Sequence, residues 1–232
     1  MLVAAAICPH PPLLIPEVAA GAATELDDLR AACMDALDAV LQTAPDRLLV
    51  VGGGGSVRAT GGEVGGSMRR FGVDYTIGPS TTVTLPLSLT VGAWLLEQVA
   101  ISVPIEYVGL DDAVGPGGSA DQFAGLAADG RVAVLAMADL SAKLTTDSPG
   151  YLDDRAVGFD REVMRLVGMP DPEGLVRLDT EVAGELWFAG GPALAALGGA
   201  ARTTKGAAIA AKIHYDAAPY GVGYAVASWL TY

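Results

Sequence analysis

The sequence predicts a single α/β domain over residues 1–232, with a central, mostly parallel sheet and helices on both faces. Three observations lead to this prediction. Short apolar runs, of the length of buried strands, alternate with longer segments of helical periodicity. Hydrophobic residues make up 51% of the chain, which is enough for a large core. No internal repeat and no linker-like segment divides the sequence.

Apolar runs and helical periodicity assign the elements in chain order. Leu2–Cys8 is an apolar run that Pro9 ends, as expected of a buried strand. Thr24 caps the next helix, with Asp27 at the third position, and Pro45 marks its end. The other expected elements are a strand at 47–51, a Gly-rich polar loop with room for a hairpin at 56–82, a helix at 89–101, a strand at 105–110, a helix at 121–128, a strand at 132–138, helices at 154–167 and 181–197, and closing strands at 207–214 and 222–230.

The charge balance disfavours two classes of partner. Asp and Glu number 27 against 14 Lys and Arg, a formal net charge of −13. Nucleic acids and anionic membranes both favour basic surfaces, so neither is expected to bind. Charged residues interrupt the longer apolar segments, so no membrane span is expected. Two cysteines, Cys8 and Cys33, make no disulfide framework, and a cytoplasmic protein is expected.

Three predicted strands end in unusual residues. The first strand runs into Pro9-His10-Pro11, the second into four glycines at 52–55, and the strand at 132–138 into Asp139-Leu140-Ser141. Ligands of open α/β sheets bind outside the carboxyl ends of the strands. These three strand ends therefore predict a functional crevice that contains His10 and Asp139.

The glycine run does not match a known nucleotide motif. The dinucleotide pattern G-x-G-x-x-G fails at Val57 or Arg58, depending on where it begins, and the Gly-Lys-Ser/Thr of a P-loop is absent. Two interpretations stay open: a turn over a close-packed neighbour, or a backbone nest that binds an anion with help from Arg58. The acidic pairs at 111–112 and 153–154 indicate solvated turns.

Several segments, taken in order, resemble one family. The chain is similar to the class III extradiol ring-cleavage dioxygenases of the protocatechuate 4,5-dioxygenase catalytic-subunit type and to their Memo-like relatives. The segments that carry the resemblance are CPHPPLL at 8–14, MADLSA at 137–142, Phe159-Asp160, AGEL at 183–186 and APYGVGY at 218–224.

The resemblance implies an iron site that this sequence only partly retains. Non-haem Fe(II) is held in the family by two histidines and one carboxylate, and a further histidine acts as acid and base. The resemblance makes His10 the first ligand and Glu185 the carboxylate. The second histidine is replaced within Gly53-Gly54, and Ala142 stands where the acid–base histidine is expected.

These departures favour a degenerate family member. It would lack ring-cleavage activity, need no cofactor, hydrogen-bond His10 to Glu185, and keep a pocket for an unidentified small molecule or protein partner. The resemblance also implies a homo-oligomer. The expected pocket residues are His10, Gly53, Gly54, Asp139, Ser141 and Glu185.

Two alternatives stay open at this point. In one, an active Fe(II) or Zn(II) enzyme has a rearranged site, in which His214 or Asp139 joins His10 and Glu185. In the other, His10 is the base of a metal-free hydrolysis or transfer, although the sequence offers no obvious nucleophile. A purely structural role for His214, on its expected strand, is the simplest interpretation of that residue.

Overall fold

The computed structural model describes residues 1–79, 82–111 and 114–232. Its strands are β1 (Leu2–Cys8), β2 (Arg47–Gly53), β3 (Val57–Thr60), β4 (Val64–Ser67), β5 (Thr76–Ile77), β6 (Val83–Thr84), β7 (Ile105–Leu110), β8 (Val132–Met137), β9 (Ile209–Ala217) and β10 (Tyr224–Thr231). Its helices are α1 (Pro16–Ala19), α2 (Asp27–Leu41), α3 (Leu87–Glu97), α4 (Gly115–Ala127), α5 (Arg155–Gly168), α6 (Pro172–Val176), α7 (Thr180–Glu185) and α8 (Gly191–Ala201).

Seven strands form the central sheet, in the order β3-β7-β2-β8-β1-β10-β9. The four strands β7, β2, β8 and β1 run parallel, and β3 and β10 pair antiparallel with their neighbours. A second, small sheet joins β5, β4 and β6. The predicted α/β class, with a mostly parallel sheet, is confirmed.

Helices cover both faces of the sheet and divide the core into two layers. On one face, α2 and α3 pack on alternate strand residues such as Ala4, Ala6 and Cys8. On the other face, α4, α5 and α8 pack on the residues between them, such as Ala5 and Ile7. Because successive strand side chains point to opposite faces, a sheet covered on both sides needs continuous apolar strands. This explains the uninterrupted apolar runs in the sequence.

The helices α4 and α8 lie unusually close to each other. A Cβ placed on Gly199 would stand 1.9 Å from the carbonyl oxygen of Ala120, so the two backbones approach directly. Both helices begin with Gly-Pro, at 115–116 and 191–192. Proline suits the start of a helix because the amide hydrogen that it lacks has no partner there.

Several predicted boundaries shift. Thr24 lies in a 3-10 turn over Ala20–Leu26 and does not cap α2, which begins at Asp27. The helix expected at 181–197 is two helices, because the chain turns between α7 and α8 and Trp187 adopts a positive φ of 54°. The helix expected at 121–128 begins at Gly115, six residues earlier. The loop expected at 56–82 contains β3, β4 and β5, and its residues 80 and 81 lie outside the described part.

Candidate functional site

A cavity of about 560 Å³ opens at the carboxyl ends of β1, β2 and β7. His10 follows β1, Gly53 ends β2, Gly54 follows it, and Asp111 follows β7, and all four line the cavity. The cavity brings together the first two of the three unusual strand ends. The partner of Asp111 in the sequence, Asp112, lies outside the described residues.

His10 is buried at the cavity wall. Its residue exposure is 8%, and its backbone N–H donates to Oδ1 of Asp139 over 2.6 Å. The ring Nδ1 lies 3.5 Å from the same oxygen and makes no hydrogen bond to a described residue. Burial raises the pKa of Asp139, and the nearby His10 opposes that rise. Asp139, which follows β8, thus holds the backbone of His10 in place. It is not among the described residues that line the cavity.

The glycine run is explained by close packing. A Cβ on Gly52 would stand 2.4 Å from Oγ of Ser88, and Ser88 donates that hydroxyl to the carbonyl of Gly53 over 2.6 Å. Gly54 and Gly55 adopt positive φ values of 103° and 135°, which favour glycine. A turn over a close-packed neighbour therefore accounts for these glycines, because the α3 N-terminus packs directly against the end of β2.

Arg58 does not complete an anion nest beside these glycines. It lies on β3, and its Nε donates to Oε1 of Glu106. Among the described residues, the arginine that lines the cavity is Arg70. The expectation for Arg58 is therefore wrong, because the edge strand turns its side chain toward a carboxylate of β7.

Glu185 does not meet His10. Its Oε2 accepts a hydrogen bond from Nη1 of Arg155 over 2.5 Å, and half of its side chain is exposed. The neighbours Ala183 and Gly184 line the cavity, but Glu185 is absent from the described lining. The expected hydrogen bond between His10 and Glu185 is therefore wrong, because α7 directs Glu185 toward α5.

Ser141 and Ala142 also lie outside the cavity lining. The buried hydroxyl of Ser141 donates to Oδ2 of Asp160 over 2.7 Å, and its backbone N–H donates to Oδ1 over 3.0 Å. Burial raises the pKa of Asp160, and the two bonds from Ser141 oppose that rise. Ala142 donates its N–H to the carbonyl of Leu186. The strand end at 139–141 thus fixes α5 and the α7–α8 turn to the sheet.

His214 lies in a different part of the molecule. Its Nε2 is 2.9 Å from Oγ of Ser228, on the neighbouring strand. It lines a separate, shallower cavity with Asp35 and Lys212. Burial and the charge of Lys212 lower the pKa of His214. The structural interpretation of His214 fits this position, and the expectation that it could join His10 is wrong.

The metal site implied by the family is not assembled. Fe(II) or Zn(II) needs at least three converging donors. His10 faces Asp139, Glu185 faces Arg155, and His214 faces Ser228. Among the residues that the structure describes, no group of three or more His, Cys, Asp and Glu side chains is placed to hold a metal ion. Among the described residues, His10 and Glu185 therefore do not form the pair of metal ligands that the resemblance implies.

The cavity has features that strand ends alone did not predict. The first turns of three helices line it: Leu87 and Ser88 of α3, Gly115 and Pro116 of α4, and Gly191 and Pro192 of α8. Ser119, Leu175, Leu178 and Phe188 add one hydroxyl and an apolar wall. The two Gly-Pro dipeptides were the sequence signal for two of these helix starts.

Comparison with known proteins supports the fold. No protein-family model and no curated protein matches the chain. One matching solved structure is an uncharacterized protein, JW3007, from Escherichia coli K12. Its TM-score is 0.51 and its identity 14%, and the match covers 98% of this chain and 99% of that one. A likeness at this identity concerns the fold alone. Within the described ranges, no helix has the length and apolarity to cross a bilayer.

Proposed function

We propose that this protein is a class III extradiol dioxygenase-like protein without ring-cleavage activity, and that it binds a small organic molecule in the cavity beside His10. The observation that carries the proposal is the cavity itself. It is lined by a single histidine, although both histidines of the chain are described, and its volume of about 560 Å³ suits a small molecule.

The cavity walls favour a ligand with an apolar body. Leu175 is fully buried, Phe188 is 7% exposed, and Leu178 is half-buried beside them. Small-molecule sites combine such apolar walls with a few polar groups that orient the ligand. Here the polar groups include the His10 imidazole, the hydroxyls of Ser88 and Ser119, and the Arg70 guanidinium.

Ring cleavage needs groups that this cavity does not bring together. The family's reaction depends on a metal with open positions and on a histidine that moves protons. His10 is unaccompanied by a second imidazole, Ala142 has no proton to transfer, and Glu185 is paired with Arg155. These contacts support binding as the retained property.

The first experiment measures metal and activity together. Protein purified without a histidine tag is loaded anaerobically with Fe(II) or Zn(II), analysed for metal, and then assayed with protocatechuate and catechol under controlled oxygen. We expect less than stoichiometric metal and no coloured ring-fission product. Stoichiometric metal that disappears in His10→Ala but not in the control His214→Ala, or product formed at an ordinary enzymatic rate, would contradict the proposal.

The second experiment tests the cavity as a binding site. Phenol serves as a neutral aromatic probe, and its dissociation constant is measured by titration followed with NMR. Gly184→Phe places a ring at the cavity, where a Cβ meets no neighbour, and we expect it to weaken phenol binding at least fivefold. Gly125→Phe on the exposed end of α4, also in open space, is the matched control. No saturable phenol binding to the wild type, or equal loss in both variants, would overturn the assignment.

A further inference from the structure

We propose that Nε2 of His10 is a hydrogen-bond acceptor that faces the cavity, and that the cavity selects ligands whose polar group is an O–H or N–H donor. The inference rests on the proposed function, because it takes the cavity to be a small-molecule site. It adds the chemistry of the ligand's polar group and a positioning role for Asp139. The orientation of one buried imidazole, between a carboxylate and the cavity, carries it.

One ring nitrogen of His10 faces a carboxylate whose side chain is 15% exposed. Nδ1 is buried, lies 3.5 Å from Oδ1 of Asp139, and makes no hydrogen bond to a described residue. The same Oδ1 accepts the backbone N–H of His10 over 2.6 Å. The backbone and the ring of His10 therefore both lie against one oxygen, and the Nδ1 edge of the ring faces the protein interior.

The other ring nitrogen, Nε2, faces the cavity. Among the described residues, the side-chain nitrogen and oxygen atoms that are both buried and without a hydrogen bond are Nδ1 of His10 and Oγ1 of Thr231. Nε2 makes no hydrogen bond within that part of the chain, so it is not a buried atom. Because His10 lines the cavity and only 9% of its side chain is exposed, the accessible edge that contains Nε2 opens into the cavity.

The group that faces Nδ1 determines which ring nitrogen holds the proton. A neutral imidazole has one N–H donor and one acceptor nitrogen, and the surroundings of one nitrogen select the tautomer. Oδ1 of Asp139 already accepts a hydrogen bond, so it presents lone pairs to Nδ1 whether the carboxyl group is ionised or holds a proton on Oδ2. In the neutral ring the proton therefore lies on Nδ1, and Nε2 keeps a lone pair that accepts a hydrogen bond from the ligand.

The other polar side chains of the cavity do not replace a donor on the ligand. Ser88 donates its hydroxyl hydrogen to the carbonyl of Gly53 over 2.6 Å, so its oxygen has only lone pairs left. The Ser119 hydroxyl can donate or accept, and Arg70, a donor, is exposed. A ligand that offers only acceptors would leave Nε2 of His10 unpaired, and unpaired polar groups in an enclosed site are unfavourable. A ligand with a donor beside an apolar body is therefore favoured.

The position of the proton can be measured directly, because the chain has two histidines. The chain is labelled with an NMR-active isotope at the histidine ring nitrogens, and His214→Ala assigns the remaining signals to His10. At pH 8 we expect a proton on Nδ1 and none on Nε2 of His10, and we expect the Nε2 resonance to move when phenol is added. A proton on Nε2, in the other tautomer or in the imidazolium ion, would overturn the inference. Saturable phenol binding that leaves this resonance unchanged would also overturn it.

Asp139→Ala tests the positioning role of the carboxylate. Without it the imidazole proton is no longer held on Nδ1, so we expect Nε2 of His10 to be protonated in a measurable fraction of the molecules. Asp160→Ala removes another carboxylate that accepts a backbone N–H at this end of the sheet, and as the matched control it should leave the His10 signals unchanged. An unchanged proton position in folded Asp139→Ala would overturn the role of Asp139. The wild-type spectrum tests the same proton position without any variant.

Binding measurements separate this inference from the proposed function. Dissociation constants of phenol, aniline and toluene are measured by NMR titration for the wild type and for His10→Phe, which keeps a ring but has no acceptor nitrogen. We expect the affinities of phenol and of aniline, each relative to toluene, to fall about fivefold in His10→Phe, because one hydrogen bond is lost. His214→Phe, at the separate cavity, is the matched control and should leave both ratios unchanged.

The outcomes distinguish the two proposals. Binding of all three probes with unchanged ratios in His10→Phe would overturn the acceptor role of His10 while the small-molecule cavity stands. An equal fall in His214→Phe would also overturn it, because the effect would not be local to the cavity. A fall for phenol but not for aniline would overturn N–H donors as part of the ligand class. No saturable binding of any probe to the wild type would overturn the proposed function and this inference together.

Discussion

Two buried polar residues near the carboxyl end of the sheet, Asp160 and His10, differ in their hydrogen bonds. Asp160 accepts both the backbone N–H and the hydroxyl of Ser141, so its carboxylate is fully used inside the protein. His10 is equally buried, but its Nδ1 makes no hydrogen bond to a described residue and lies 3.5 Å from Oδ1 of Asp139. Asp160 therefore links α5 to the segment that follows β8, whereas His10 lies at the cavity wall against Asp139.

Asp160 should make the stability of the protein depend on pH. Its pKa is raised by burial, so the folded state holds its proton more tightly than the unfolded state does. That contribution is present below the ordinary carboxyl pKa and is lost as the pH rises through the raised pKa. The free energy of unfolding of the wild type and of Asp160→Asn is measured by urea denaturation from pH 3.5 to 7. As the pH rises, the variant should become more stable relative to the wild type.

Asp160→Ala is the companion variant for that measurement. It removes both acceptors of Ser141 and leaves a buried hydroxyl and N–H unpaired, so a loss of about 1–3 kcal/mol is expected. Asparagine retains one acceptor for the N–H and can donate to the hydroxyl oxygen, so it should lose much less. A stability difference between wild type and Asp160→Asn that is constant with pH would contradict the raised pKa.

At the scale of elements, small residues allow helices to approach strands and one another. The N-terminus of α3 packs on Gly52, and α8 packs on α4 through Gly199. In both places a Cβ would stand within 2.5 Å of another atom. Both contacts involve helices that begin at the cavity, so these glycines allow the close packing around it.

Gly199→Ala should therefore destabilise the protein. The added methyl would overlap the Ala120 carbonyl, and the two helices must separate, which typically costs about 1–3 kcal/mol. Gly125→Ala, on the exposed surface of α4, meets no neighbour and should stabilise by about 0.5–1 kcal/mol through helix propensity. Thermal and urea denaturation would measure both, and equal effects of the two variants would contradict the close approach.

At the scale of the whole molecule, the two core layers share one sheet. Trp94 belongs to the layer of α2 and α3, and Trp229 to the layer of α4, α5 and α8. Alternate residues of the same strands enter each layer, so neither layer can lose its packing without exposing the sheet that supports the other. The layers should then unfold as one unit.

This can be measured with one tryptophan in each layer. Trp187 is 56% exposed and is replaced by Phe in every variant. Trp94→Phe then leaves Trp229 as the reporter, and Trp229→Phe leaves Trp94. In each variant, we expect the fluorescence transition of the remaining tryptophan to coincide with the loss of secondary structure that circular dichroism measures. A fluorescence transition that precedes the loss of secondary structure in one variant alone would show separable layers.

Sequence reasoning predicted the class of fold better than the composition of the site. Buried strands are recognisable as apolar runs, and His10, Gly53 and Gly54 line one cavity at the carboxyl ends of β1 and β2. Glu185 was assigned through resemblance, and the structure pairs it with Arg155. The direction in which α7 presents a side chain depends on the turn before α8, which no local pattern revealed.

The sequence by itself determined the α/β class, the two-sided burial of the strands and the crevice beside His10. These follow from hydrophobic periodicity and from where prolines and glycines interrupt it, which are local properties of the chain. Only the tertiary structure decided that Glu185 and His214 lie apart from His10, and that α3, α4 and α8 begin at one cavity with Ser119 and Arg70. Those relations join residues far apart in the chain, and they depend on how closely the backbones pack.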